Sequence, residues 1–242
     1  MTSREPILVQ KLRQAMSVGG LGGAIKTVSA KLWQQVSFAE THIWYELDLT
    51  QGAPPVRALG DGLTLRTADD PDADLLVQLP TVVPAEARRR MAAGNDLWIV
   101  LEGQQLLFSC WIFHDRTPTV AAAGGEFELP ADTVCLEDSI AAPAARGRGI
   151  APATWTAIAG VVSQDGRRRI VTKVTIENTP SRRAVEKAGF EEIGMMSFKR
   201  LGFRSRTQIE PLDARAGFLV DGLDGRSWTD SPLNRASSRA PG

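Results

Sequence analysis

The stretch Pro143-Ala144-Ala145-Arg146-Gly147-Arg148-Gly149-Ile150-Ala151 has the residue types of an anion-binding turn. An apolar run ends before it and a helical pattern begins after it. A glycine-rich bend opening into a helix presents backbone N–H groups and the positive end of the helix dipole to one point, where a pyrophosphate is stabilised. Gly147 and Gly149 allow positive φ and close approach of a ligand. Arg146 and Arg148 supply charge for phosphate oxygens. No Gly-Lys-Ser/Thr follows at P-loop spacing, and the three spaced glycines of the dinucleotide fingerprint are missing. Taken alone, the same bend also suits a plain strand–helix connection.

The flanking elements narrow that choice. Val134–Ala141 reads as a strand stopped by Pro143, 151–163 as a helix, and Arg169–Ile176 as a strand with Ile170, Thr172, Val174 and Ile176 alternating. Asn178-Thr179-Pro180-Ser181 then opens a helix over 180–188, where Asn178 or Thr179 is a natural cap. Gly189 is placed to end it and Phe190 to start the next strand. Upstream, Leu97–Glu102 and Gln105–Phe113 form an apolar hairpin turning at Gly103-Gln104. Leu63–Arg66 is a short strand, and Pro84–Ala93 a helix with proline in its first turn. Asp69–Asp74 spells part of a calcium loop, but Leu75 stands where glycine is needed, so it reads as a helix start with carboxylates at the positive dipole end.

This order of elements, with Arg146-Gly147-Arg148-Gly149-Ile150-Ala151 matching Arg/Gln-x-x-Gly-x-Gly/Ala and with Asn178, Ser181, Ala184, Lys187, Gly189 and Phe190 downstream, resembles the GNAT superfamily of acyl-CoA-dependent N-acyltransferases. The resemblance covers roughly residues 62–203. It implies an α/β fold: a twisted mixed sheet whose central strands, 134–141 and 169–176, splay apart, flanked by helices and preceded by an N-terminal helical arm. It implies acetyl-CoA as acyl-donor cosubstrate. The pantetheine arm would pair with main chain near Ser139, Ile140 and Ala141, the pyrophosphate would sit on Arg146, Gly147, Arg148, Gly149, Ile150 and Ala151, and Asn178 and Ser181 would contact the arm or adenosine side.

The implied reaction is attack by a primary amine on a thioester in a ternary complex, which needs a base for the ammonium. Glu137 and Asp138, on the strand entering the splay, are the candidates. Adjacent strand residues point to opposite faces, so one of the two is expected to face substrate. Many family members carry a tyrosine acid on the helix after the asparagine; here that place holds Val185, and Tyr45, the one tyrosine, lies in the N-terminal arm. Ser181 or water would stand in. Cys135 suits a ping-pong nucleophile less well than a small buried apolar residue. His114-Asp115 reads as surface, Glu126 and Glu128 as a polar loop, and Arg167, Arg168 and Arg169 as a solvated turn. No Gly-x-Ser-x-Gly elbow supports a hydrolase. The competing function is a degenerate acyl-CoA-binding sensor or scaffold.

Composition bounds the rest. With 28 basic and 28 acidic residues in 242, no nucleic-acid partner is expected. Two cysteines and two histidines make neither a disulfide framework nor a zinc site, so no metal is expected. No signal peptide or spanning run is apparent, so the default compartment is the cytoplasm. Residues 1–50 are expected to be a helical arm and a short strand, 62–212 the acyltransferase domain, and 213–242 a loose tail. The arm over 1–40, with Ile25, Val28, Leu32 and Val36 at helical spacing and an excess of lysine and arginine, suits peripheral membrane contact, a partner, or packing on its own domain or a homodimer mate. The acceptor is a small-molecule or protein amine.

Overall fold

A computed structural model describes residues 37–80, 83–202 and 204–223. The larger of two units spans Thr41–Ser197 and Thr207–Gly225. It is built on a mixed sheet of eight strands in the order β10-β9-β1-β8-β7-β4-β3-β2. In chain order these are β1 (Ser37–Asp48), β2 (Leu63–Thr67), β3 (Asp96–Glu102), β4 (Gln105–Phe113), β7 (Thr133–Ala141), β8 (Arg169–Thr175), β9 (Glu191–Leu201) and β10 (Arg204–Pro211). β5 (Arg116–Pro118) and β6 (Glu126–Glu128) make a separate two-stranded ribbon. The helices are α1 (Pro84–Ala92), α2 (Ile150–Gln164), α3 (Thr179–Lys187) and α4 (Gly217–Leu223). The second unit includes, among described residues, 37–40, 198–202 and 204–206, where Phe38 meets Phe198 at 6.0 Å and Arg200 lies over the Phe38 ring.

Burial follows sequence pattern. β4 is buried at every position after Gln105, as a strand covered on both faces must be. Cross-strand partners share a face, so Phe113, Cys135 and Val171 lie on one side of the sheet, and Ile112, Leu136 and Thr172 on the other. α2 covers the second side, with Trp155 against Phe108 and Phe190. On the first side Arg90 of α1 lies over Trp111 and Phe113, and Phe218 of α4 packs on Trp44 and Phe127. α3 ends in a Schellman motif: Phe190 N–H reaches the Val185 carbonyl, Gly189 N–H the Glu186 carbonyl, and Gly189 has φ +94°.

Two expectations need correction. Tyr45 and its neighbours do not stand apart from the domain: β1 lies between β9 and β8, with Tyr45 opposite Thr172, so the fold begins well before residue 62. The loose tail does not begin at 213, because Ala216, Leu219 and Leu223 are fully buried. Asp69–Asp74 does open a helix, as expected: Pro71–Gln78 is a 3₁₀ segment with Asp72 and Asp74 in its first turn, where Arg66 and the Asp69 N–H hold the Asp72 carboxylate at 2.6 and 2.9 Å. The arm helices over 1–36 and the segment 224–242 lie outside the described residues. Among those described, no helix is long and apolar enough to cross a membrane.

Candidate active site

β7 and β8 run parallel, with Thr133, Val134, Cys135 and Leu136 opposite Arg169, Ile170, Val171 and Thr172. The ladder stops there, although β7 continues to Ala141 and β8 to Thr175. On its other edge β7 stays paired to β4 as far as Ala141 opposite Phe108. The cause of the opening is visible in that register. From Trp111 to Ser109, β4 advances two residues while β7 advances three, from Glu137 to Ile140. An extra residue is thus bulged into β7, with Asp138 at φ +47°. A bulge bends its strand and ends regular pairing, and aspartate is among the few side chains that tolerate this conformation. The β8-facing main chain of Ser139, Ile140 and Ala141 is left for another extended group.

The glycine turn lies immediately after this open segment. Gly147 and Gly149 have φ +76° and +75°, and Gly149 is the residue before α2. No side chain caps α2, so its first N–H groups lack intrahelical acceptors. Arg146, Gly147, Arg148 and Gly149 are exposed; Ile150 is buried and Ala151 half-buried. Arg148 donates to Glu102 at 2.8 Å. Asn178 caps α3, its side chain accepting the Ser181 N–H at 3.3 Å, so both residues have a local structural role at the end of β8.

The bulge overrides the alternation expected of Glu137 and Asp138. Glu137 is opposite Trp111 and shares its face. Asp138, turned by the bulge, accepts from Arg90 Nη1 at 2.6 Å, and that guanidinium lies 5.4 Å from the Trp111 ring centre. Both carboxylates therefore reach the same side. They differ in surroundings: the Asp138 side chain is 49% exposed, whereas that of Glu137 is 11% exposed. Burial pushes the Glu137 carboxyl above its ordinary range, with Lys173 pulling the other way. Lys173 Nζ lies 2.5 Å from Glu137 Oε1, and Cys135 Sγ donates to that oxygen at 3.3 Å. Cys135 is fully buried, and burial drives its thiol well above its ordinary range, against the thiolate a nucleophile needs.

A cavity of about 180 Å³ adjoins the bulge, lined by Val83, Glu86, Ala87, Arg90, Ser109, Trp111, Asp138 and Ile140. A larger one of about 410 Å³, lined by Asp69, Asp70, Arg88, Asn95 and Asp96 among others, has no residue of β7 in its wall. Val185 is buried at the place of the family tyrosine. The Tyr45 hydroxyl accepts from Arg182 at 3.1 Å. His114 pairs with Asp96 at 2.8 Å, not with Asp115. Lys173, Arg90 and Trp111 went unnoticed in the sequence. Lys173 falls on the face of β8 that reads as solvated until the β5–β6 ribbon and α4 cover it.

The family model of the acetyltransferase (GNAT) domain matches residues 63–191, more than half the chain. The chain belongs to the GNAT family. No curated protein sequence matches it. Among solved structures it is similar to a Drosophila protein (13% identity, TM-score 0.51, covering 76% of this chain) and to a candidate GNAT-family acetyltransferase of Novosphingobium aromaticivorans (14% identity, TM-score 0.50, 69% of this chain and 67% of that one). The chain spans 58% of the Drosophila protein. At these identities the likeness is one of fold, and the GNAT sheet flanked by helices is that fold. The matched residues start at β2, so β1 lies outside the GNAT match although it completes the sheet.

Proposed function

We propose that the protein is an acyl-CoA-dependent N-acyltransferase that moves an acyl group, acetyl by preference, to a primary amine of a small molecule or protein. The observation that carries this reading is the end of the β7–β8 ladder at Leu136 and Thr172, one bulge away from a turn with two glycines at positive φ before α2. The chain's own groups fit acyl-CoA. The unpaired main chain at Ser139–Ala141 suits an extended amide arm added like a strand. The amides of Gly147 and of 149–151 suit a pyrophosphate, whereas the Arg148 N–H is bonded to the Ala145 carbonyl. The bound thioester supplies the activated acyl carbon.

Glu137 then accepts a proton from the substrate ammonium, freeing the nitrogen lone pair. Backbone N–H groups near Ser139–Ala141 stabilise the oxyanion. The amine is proposed to enter through the cavity at Trp111, Arg90 and Asp138, where Asp138 is ion-paired to Arg90. A thiol leaves as a moderately stable thiolate (pKa about 8.5), so an acid is helpful but not required. That fits Val185 in place of tyrosine.

The same Val185, buried and without a proton donor, favours the second reading, an acyl-CoA-binding sensor without turnover. A panel of amines separates the two, with free thiol release from acetyl-CoA as the signal. Release with one chemical class of amine supports the transferase. Saturable acetyl-CoA binding with no release across small amines, amino sugars, peptide lysines and N-termini supports the sensor.

A further inference from the structure

We propose that Lys173 is a fixed cation that keeps Glu137 ionised at the fork of the sheet, and so acts as a positioning residue for acyl transfer; this rests on the function proposed above. Continuing the parallel register past Leu136 and Thr172 makes Glu137 and Lys173 the first rung beyond the ladder. Where the main chains part, a side-chain ion pair replaces the missing backbone bond, with Nζ and Oε1 2.5 Å apart. The side chains are 10% and 11% exposed.

A buried ion pair is by itself weak evidence of function. What distinguishes this one is that its two halves are held unequally. Lys173 has two further supports that do not depend on Glu137. Its Nζ donates to the Pro118 carbonyl at 2.9 Å, and it lies 5.4 Å from the centre of the Trp44 ring, within cation–π range. Trp44 is opposite Lys173 in the β1–β8 register and is fully buried. Among the described residues, Glu137 is bonded by Lys173 and by the weak Cys135 S–H donor. The cation is anchored to the scaffold, and the carboxylate is anchored to the cation. When Glu137 becomes neutral, the ammonium loses its counter-ion but keeps a carbonyl and an aromatic face, so it is not left without partners.

The charges around the pair agree. Burial is the largest influence on the Lys173 ammonium and opposes it, but Glu137, with Cys135 and Asp138, more than offsets this and the net shift is upward. From β1, His42 is held down to about 4 by burial and by Lys173, so it is neutral near pH 7 and adds no competing charge. From β7, Cys135 stays a thiol, and Asp138 is paired by Arg90 of α1. The sign is then fixed: burial raises the Glu137 midpoint and Lys173 is the main influence opposing it, so removing Lys173 lets the midpoint rise.

In the reaction, one proton of the ammonium moves to the Glu137 carboxylate. The amine lone pair forms the C–N bond to the thioester carbonyl carbon, and the C–S bond breaks with its electron pair leaving on sulfur. The thiolate takes the remaining excess proton of the nitrogen. Glu137 releases its proton to solvent and Lys173 stays charged throughout.

The test uses the full chain, with carbon-13 in glutamate carboxyls and nitrogen-15 in lysine side chains, and Glu137→Gln to assign the carboxyl signal. In the wild type the Lys173 nitrogen should show no titration between pH 5 and 9. In Lys173→Met the Glu137 midpoint should rise by at least one pH unit, a tenfold change in proton affinity. The acid limb of kcat/KM, measured with an amine found in the panel, should move with it, and acetyl-CoA affinity should stay within about threefold. An unmoved Glu137 midpoint overturns the proposal. If Lys173→Met does not fold, a wild-type Lys173 nitrogen that titrates below pH 8 overturns it instead. A shifted midpoint in a protein that turns over no amine overturns the catalytic role and, separately, the acyltransferase reading.

Discussion

At residues 133–136 and 169–172, β7 and β8 share a main-chain ladder and bury Val134, Cys135, Leu136, Ile170 and Val171. One residue further on, the same two strands carry Glu137 and Lys173 and no ladder. The closed half is held by apolar burial and backbone bonds that satisfy themselves. The open half has polar main chain with nothing from β8 to pair it, and a charged pair where an apolar rung would otherwise continue. A single inserted residue at Asp138 separates the two behaviours. The comparison teaches that cohesion between the two strands ends abruptly, at one inserted residue, and not gradually along their length.

Substitutions on either side of that boundary should fail in different ways. The largest effect belongs to the open half. Glu137→Gln should lower kcat by about 10²–10⁴-fold, the range for losing a general base, with acetyl-CoA affinity nearly unchanged by calorimetry. On the closed half, Leu136→Ala removes a side chain that is 3% exposed. It should cost about 2–5 kcal/mol in denaturant unfolding and leave kcat of the folded protein within a few-fold. Equal losses of turnover in the two variants would erase the distinction.

An ion pair away from the junction gives a smaller and purely structural contrast. Arg66 beside Asp72 holds that carboxyl down to about 2, against 3.8 ordinarily. Such a depressed group stabilises the fold above its unfolded value and loses that contribution as pH falls through its folded value. Nearly two units correspond to about 2.5 kcal/mol at most. Arg66 is 41% exposed, so solvent screening brings the expected cost of Asp72→Asn at pH 7 to about 1–2 kcal/mol. The difference from wild type should vanish as pH falls from about 4 to about 2, and turnover should be unaffected. The smallest effect is expected of Asp138→Asn. Asparagine also accepts the left-handed conformation, and the bond lost to Arg90 is half-exposed, so stability should change by less than about 1 kcal/mol and kcat by less than about tenfold.

Some of this was legible in the sequence because it is local. The glycine–arginine bend, the hairpin at Gly103-Gln104, the helix stop at Gly189 and the run of β7 are each set by residues within a few positions of one another. The place of β1 is not, since strand order depends on which distant segment pairs with β8, and nothing near Tyr45 records that. The bulge was hidden because aspartate in an αL conformation leaves no mark of the kind a glycine would. Hence strict alternation sent Glu137 and Asp138 to opposite faces. Lys173 drew no attention for a related reason: its cover comes from the three-residue strands of the β5–β6 ribbon and from α4, a short helix beginning at Gly217, all too brief for periodicity to announce.

The most direct test of the site is calorimetric titration of acetyl-CoA into the wild-type chain and into Gly149→Glu. Residue 149 has φ +75°, where a side chain is strained whatever space surrounds it, and a carboxylate there would face the phosphates. Saturable binding by the wild type, reduced at least about 100-fold (about 2.7 kcal/mol) in the variant with its far-ultraviolet spectrum preserved, is the predicted result. Equal affinity in the two proteins would contradict a pyrophosphate seated on this turn.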